Sequence, residues 1–254
     1  MSYFLSQRFF KDISKMDYPP LNSQVLQKKE GYRDILQYFL MLEFTFRMSW
    51  NQLNENFIGY EKKLSELYEL WGYFKLLEVL QDLTNSEISF ESIFTENKWN
   101  LSLREGEPVS KDILIKGVPV NISLLYNKTF KRNNDFYSYS VELRPDYTFV
   151  IKINDSRYFI HFDAKYKLYM ENESFKVNDI HKMHTYKDAI SNSVGAFVLY
   201  PGKKSQLYKT NHEFKYGVGA FPLNPSYDDK NKDDLVKFIN MLLRKLVEYE
   251  SNLR

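Results

Sequence analysis

Arg144-Pro145-Asp146-Tyr147 and Asp163-Ala164-Lys165 put two carboxylates and one ammonium on strand-like sequence that folds back through a turn. Carboxylates held close repel one another, and a hard divalent cation between them removes the repulsion. A lysine beside such a cation can hold and polarise an attacking water. The chemistry these residue types permit is metal-assisted cleavage of a phosphodiester.

An acid-x-Lys tripeptide carries little weight alone, since the chain has five of them. Pro-Asp occurs once. Asp163-Lys165 is the tripeptide that lies in an apolar run, Tyr158-Phe159-Ile160-His161-Phe162, after the hairpin that Pro145-Asp146 enters. The two-residue period of a strand puts His161, Asp163 and Lys165 on one face and Phe162 and Ala164 on the other. The bland alternative is the solvated face of a strand, where charges normally sit.

These residues need a scaffold. Residues 137–153 read as a strand, 154–157 as a turn and 158–168 as the returning strand. A helix over 180–192, capped by Asn178 or Asp179 and stopped by Gly195, presents Lys182 and Tyr186 one turn apart on the same side. Short strands follow at 196–200 and 216–221, then a polar loop over 223–232. A closing helix over 233–250 carries an apolar seam of Leu235, Phe238, Ile239, Leu242, Leu243 and Leu246, expected to cover a sheet face. Upstream, β-like runs at 113–115 and 120–125 precede a basic loop with Lys128, Lys131 and Arg132. A helix over 61–83 is apolar nearly all round. Glu69 interrupts its buried face, and such a carboxylate is costly unless paired or bound to a cation. Residues 23–57 carry helical periodicity at Ile35, Tyr38, Phe39, Leu42 and Phe46.

Composition narrows the alternatives. The 254 residues allow one large domain or a domain with an extension. The absence of cysteine excludes disulfides, cysteine-ligated zinc and thiol catalysis. A net charge of +2 means that any nucleic-acid surface comes from local clustering of Lys and Arg. No apolar run approaches a membrane span and no signal peptide opens the chain, so an intracellular, cytoplasmic protein is expected. His181 and His184 have a metal-compatible helical spacing but no third ligand beside them, so surface roles are expected. A metal-dependent phosphatase or nucleotide hydrolase remains an alternative on similar carboxylates. The basic loop, and the lack of a GxxxxGK[ST] phosphate loop, favour a polymer over a nucleotide.

Four blocks in order, Tyr68-Glu69-Leu70-Trp71, Leu143-Arg144-Pro145-Asp146, His161-Phe162-Asp163-Ala164-Lys165-Tyr166 and Ile180-His181-Lys182-Met183-His184-Thr185-Tyr186, resemble the PD-(D/E)xK nuclease superfamily. Within it they are most similar to the McrC-like nuclease subunits of modification-dependent restriction systems. The resemblance implies an α/β, restriction-endonuclease-like fold. A mixed central sheet of four or five strands would be flanked by the Glu69 and Lys182 helices. Residues 1–58 would form an N-terminal helical arm and 59–254 the nuclease domain. Asp146, Asp163 and the Ala164 carbonyl would ligate Mg²⁺, with Mn²⁺ as a substitute. Glu69 would take a second metal or orient water, and Lys165 would position water. Lys182 and Tyr186 would contact the substrate backbone, Lys182 standing where relatives carry Gln. Arg144, Lys128, Lys131 and Arg132 complete the expected substrate surface. The partners implied are DNA and an NTP-driven, McrB-like motor subunit, in restriction or defence. Relatives often carry an N-terminal DNA-reading domain. A chain starting near its nuclease core suggests a truncated or reduced form. The alternative is a non-catalytic DNA-binding or assembly subunit that keeps the nuclease fold.

Overall fold

The computed structural model describes residues 23–29, 31–33, 58–89, 93–97, 100–166, 177–225 and 228–253. The chain divides into two compact units, Met1–Gly59 and Tyr60–Arg254. In the first, α1 spans Gln24–Lys28. The apolar seam read from Ile35 to Phe46 lies outside the described residues.

The second unit is built on a seven-stranded mixed sheet. After α2 (Ile58–Thr84) comes a separate hairpin, β1 (Phe94–Asn97) with β2 (Asn100–Leu103). The sheet follows: β3 (Pro108–Ile115), β4 (Val118–Tyr126), β5 (Tyr147–Ile153), β6 (Ser156–Ala164), then α3 (Val177–Ala189), β7 (Ser193–Tyr200), β8 (Gln206–Lys209), β9 (Gly217–Pro222) and the closing helix α4 (Asp228–Asn252). The spatial order is β3-β4-β5-β6-β7-β9-β8. β3 to β6 form an antiparallel meander, β7 joins β6 in parallel through the α3 crossover, and β9 is parallel to β7.

Both faces are covered. Phe149, Ile151, Ile160, Phe162 and Phe197 share one core with Leu76 and Leu80 of α2 and with all six seam residues of α4. Val150, Phe159, Ala196 and Val198 pack on the other side against Ile180, Met183 and Tyr186 of α3. Each of the larger aliphatic and phenylalanine side chains taken from water contributes about 1.5–3 kcal/mol. Burial on both faces is why β7 reads as an unbroken apolar run rather than an alternating one.

Four sequence readings need correction. The strand expected over 137–153 begins only at Tyr147. Pro145 has no N–H for a ladder, and Tyr137, Tyr139 and Val141 stay exposed. Residues 131–146 instead form an excursion held by the bridge between Phe130 and Leu143 and by the Tyr139 N–H, which donates to the Ala189 carbonyl at 3.1 Å. The returning strand ends at Ala164 rather than 168. The third correction is at Gly195, which does not stop a helix, since α3 ends at Ala189 and Gly195 lies inside β7. A Cβ there would stand 2.8 Å from the Phe197 ring and 2.9 Å from the Gly217 carbonyl, so glycine lets neighbouring strands and a large ring close up. Finally, the sheet has seven strands, because β3 is paired along its whole length and the short β8 adds to the far edge.

Candidate active site

Two strand ends meet at the site. The β5–β6 ladder closes with Tyr147 opposite Phe162. Ala164 therefore lies past the end of β5, and its peptide edge has no ladder partner there. Asp146, just before β5, takes up that edge: its Oδ2 accepts the Ala164 N–H at 2.7 Å. The sequence distance of a hairpin with a two-residue turn becomes direct contact. Asn154 adopts the left-handed region in that turn, φ 52°, a conformation asparagine tolerates.

Asp163 is fully buried, on the sheet face that α3 covers. Its Oδ2 receives no well-formed hydrogen bond and faces the Lys165 ammonium. Its Oδ1 lies 2.7 Å from Lys182 Nζ and 3.3 Å from the Tyr186 hydroxyl. That hydroxyl is also 3.2 Å from the Arg144 carbonyl, so its one proton links the two segments that carry the aspartates. Burial first, then the Asp163 and Asp146 charges, push the Tyr186 phenol up, so it stays protonated at neutral pH and has a proton to donate. Burial works to lower the Lys182 pKa, but the Asp163 charge and hydrogen bond outweigh it and hold the ammonium above its ordinary value.

Glu69 arrives from α2. Its Oε1 accepts the Tyr126 hydroxyl at 2.8 Å and the Asn127 amide at 3.3 Å. Among the described residues its side-chain partners are these neutral donors. The Tyr147 hydroxyl donates to the Glu69 carbonyl at 2.5 Å and fixes the helix against the start of β5. Gly72, one turn on, makes room: a Cβ would stand 2.7 Å from the Tyr147 hydroxyl oxygen. In an open helix Gly72→Ala would gain about 1 kcal/mol. Here the overlap reverses the sign. A net loss of about 1–2 kcal/mol is expected in urea unfolding, relieved on a Tyr147→Phe background. Higher stability of Gly72→Ala in the wild-type background would disprove the close approach.

Burial, then the Asp163 and Glu69 charges, raise the Asp146 carboxyl from 3.8 to about 7, against the opposing pull of Lys165 and the Ala164 N–H. A carboxyl raised on folding binds its proton more tightly in the native state. Its contribution to stability is full below about 3.8 and lost as pH rises through about 7. A cation that needs the carboxylate shows the opposite trend. Mn²⁺ affinity is expected to climb up to about pH 7 and then level, with a proton released on binding below that point. Calorimetry in buffers of different ionisation heat reads the proton, and a flat pH profile would contradict the assignment.

Arg144 is tied to Glu105 Oε2 at 2.9 Å and the Asn127 carbonyl at 3.2 Å. Lys128 reaches the Gly106 carbonyl and lies over the Phe136 ring at 4.6 Å. Lys131 and Arg132 are exposed, and Arg132 Nε bonds the Tyr139 carbonyl. The basic loop is joined to the Asp146 segment through the Asn127 N–H, 2.9 Å from the Asp146 carbonyl. His181 and His184 are exposed. His161 shares the Asp163 face, but it is fully buried, lies within 3.0 Å of Thr148 Oγ1 and is driven down to about 3 by burial. It is a neutral packing residue. Sequence reasoning gives no role to Tyr126, Asn127 or Tyr147. For Tyr147 the available signal is a glycine one turn after Glu69.

Among the described residues no group of three or more His, Cys, Asp or Glu side chains comes together tightly enough to hold a metal. What converges is an all-oxygen set of two aspartates and the Ala164 carbonyl, the last 3.3 Å from Lys165 Nζ. The buried Asp163 Oδ2, without a hydrogen bond, and the mutual repulsion that raises Asp146 fit a hard divalent cation. The sequence profile of the PD-(D/E)XK nuclease superfamily matches residues 66–205, more than half of the chain, and covers all of these groups. The chain belongs to the PD-(D/E)XK nuclease superfamily. Nucleases of this superfamily generally use divalent metals. A domain of unknown function, DUF2357, matches residues 1–39. No curated protein and no solved structure matches the chain. Among the described residues no helix is long and apolar enough to cross a membrane.

Proposed function

We propose that this PD-(D/E)XK chain is a Mg²⁺-dependent endonuclease that hydrolyses DNA phosphodiester bonds. The observation that carries the reading is the meeting of Asp146, Asp163 and Lys165 at paired strand ends beneath Lys182 and Tyr186 of α3. A bound divalent cation supplies charge neutralisation at the scissile phosphate and a more acidic water. Asp146, Asp163 and the Ala164 carbonyl hold it, with Glu69 at the margin. Lys165 holds the attacking water on line and meets the negative charge that develops on the phosphoryl oxygens. Tyr186, always protonated, orients Asp163. Lys182, Lys128, Lys131, Arg132 and Arg144 form the surface for the backbone phosphates.

The proposal extends to a restriction or defence role with an NTP-driven, McrB-like motor partner. The likeness of the four sequence blocks to McrC-like subunits supports that part. Nicking of supercoiled plasmid and cutting of single-stranded DNA, with EDTA, Mg²⁺ or Mn²⁺, tests the catalytic reading. Metal-dependent cutting is expected. An inert chain that also fails to bind Mn²⁺ would favour a non-catalytic assembly subunit.

A further inference from the structure

Asp163 carries two ammonium groups, one more than a single carboxylate needs. Lys165 reaches Oδ2 from two residues along the chain, just past the end of β6. Lys182 reaches Oδ1 from α3, at 2.7 Å. Glu69, the third acid of the site, is served by neutral donors. The lysine pair on Asp163 therefore does not arise from a general shortage of positive charge around each carboxylate.

We propose that Lys182 is an internal counter-ion of Asp163 that competes with the divalent cation and, when displaced by it, is delivered to a phosphate of the substrate. This rests on the metal-dependent reading above and adds an order of events at that site.

Three features support the exchange. The first is space: an oxygen ligand of Mg²⁺ or Ca²⁺-sized ions sits about 2.0–2.6 Å from the metal, and Lys182 Nζ, 2.7 Å from Oδ1, fills that position. An ammonium and a divalent cation on one oxygen also repel strongly in a buried setting.

The second is freedom to move. The Lys182 side chain is 43% exposed and that of Lys165 24%. Lys182 Nζ also lies 5.2 Å from the centre of the buried Tyr186 ring. Lys165 is held by the adjacent Ala164 carbonyl and has no comparable exit. The third is what stays behind. With Lys182 gone, Oδ1 keeps the Tyr186 hydroxyl as a donor, so the carboxylate remains oriented. The released ammonium then finds its natural partner in a phosphodiester oxygen, with the cation already in place.

Titration calorimetry of Mn²⁺ into the full chain without nucleic acid tests this. Lys182→Met keeps the stem and removes the charge. It is expected to bind Mn²⁺ on the order of tenfold tighter than wild type, while Lys182→Arg stays close to wild type. Lys182→Gln serves as a second neutral variant should the methionine form not fold. Binding lost in Asp163→Asn establishes that the heat comes from this site. Thermal melting gives an independent readout. Lys182→Met should melt lower without metal and gain more from Mn²⁺ than wild type does. Lower stability with unchanged Mn²⁺ affinity would mean an ordinary structural ion pair and would overturn the proposal. Failure of wild type and both neutral variants to bind Mn²⁺ would overturn the metal reading itself.

Discussion

Asp163→Asn is expected to lower metal-dependent cleavage by roughly 10³-fold or more, the order lost when a group needed for transition-state stabilisation is removed. Asparagine is the informative substitution because it keeps the shape. The site around Asp163 is fully buried, and alanine would open a hole beside Tyr186 and the Phe162 strand. The amide oxygen still accepts the Tyr186 hydroxyl and one lysine, so the fold is expected to persist with a small change in melting temperature. What disappears is the negative charge. Two ammonium groups then face a neutral amide, and a divalent cation gains little from coming near. DNA binding should hold or strengthen, since the variant adds net positive charge to the phosphate surface. Gel-shift measurements beside plasmid nicking separate the two effects. Full cleavage by a folded Asp163→Asn chain would remove Asp163 from the mechanism.

The convergence of Asp146 and Asp163 is legible in the sequence for a physical reason. A hairpin with a short turn converts sequence distance into register, and an apolar strand interrupted by Asp and Lys is locally inconsistent with simple packing. Lys182 with Tyr186 is legible for the same reason, since helix spacing is local. The α/β class follows from runs of strand-like sequence flanked by helical periodicity, and α4 lies on the sheet as its seam requires. Partnerships across long sequence separations are not legible. Tyr126 and Asn127 meet Glu69 from 57 and 58 residues away, and Glu105 meets Arg144 from 39 away. Nothing local marks such pairs. The β1–β2 hairpin and β8 escape because four-residue strands carry too little alternation to stand out. The direct Lys182–Asp163 contact is hidden because the crossover that brings α3 over β6 sets it, and spacing along the chain does not.

Two lysines on one aspartate raise the question of which one does chemistry, and kinetics can answer it. Lys165→Ala is expected to lower kcat by about 10²-fold or more with little change in KM, as when one preorganised stabilising group is lost. Its ammonium lies between Asp163 Oδ2 and the Ala164 carbonyl, at the edge of the groups proposed to hold the cation. Its charge also reaches Asp146, where it opposes the rise of that carboxyl. A group in that position would meet the attacking water and the charge that grows on the phosphoryl oxygens. It has less to do with the uncleaved backbone. Lys182 stands farther out, on α3 and half in solvent, where it meets phosphate in ground state and transition state alike. Uniform binding of that kind appears in KM. Lys182→Ala should therefore raise KM and leave kcat within a few-fold. The reversed pattern, a KM defect at Lys165 and a kcat defect at Lys182, would exchange the two roles and make the α3 lysine the water-positioning group.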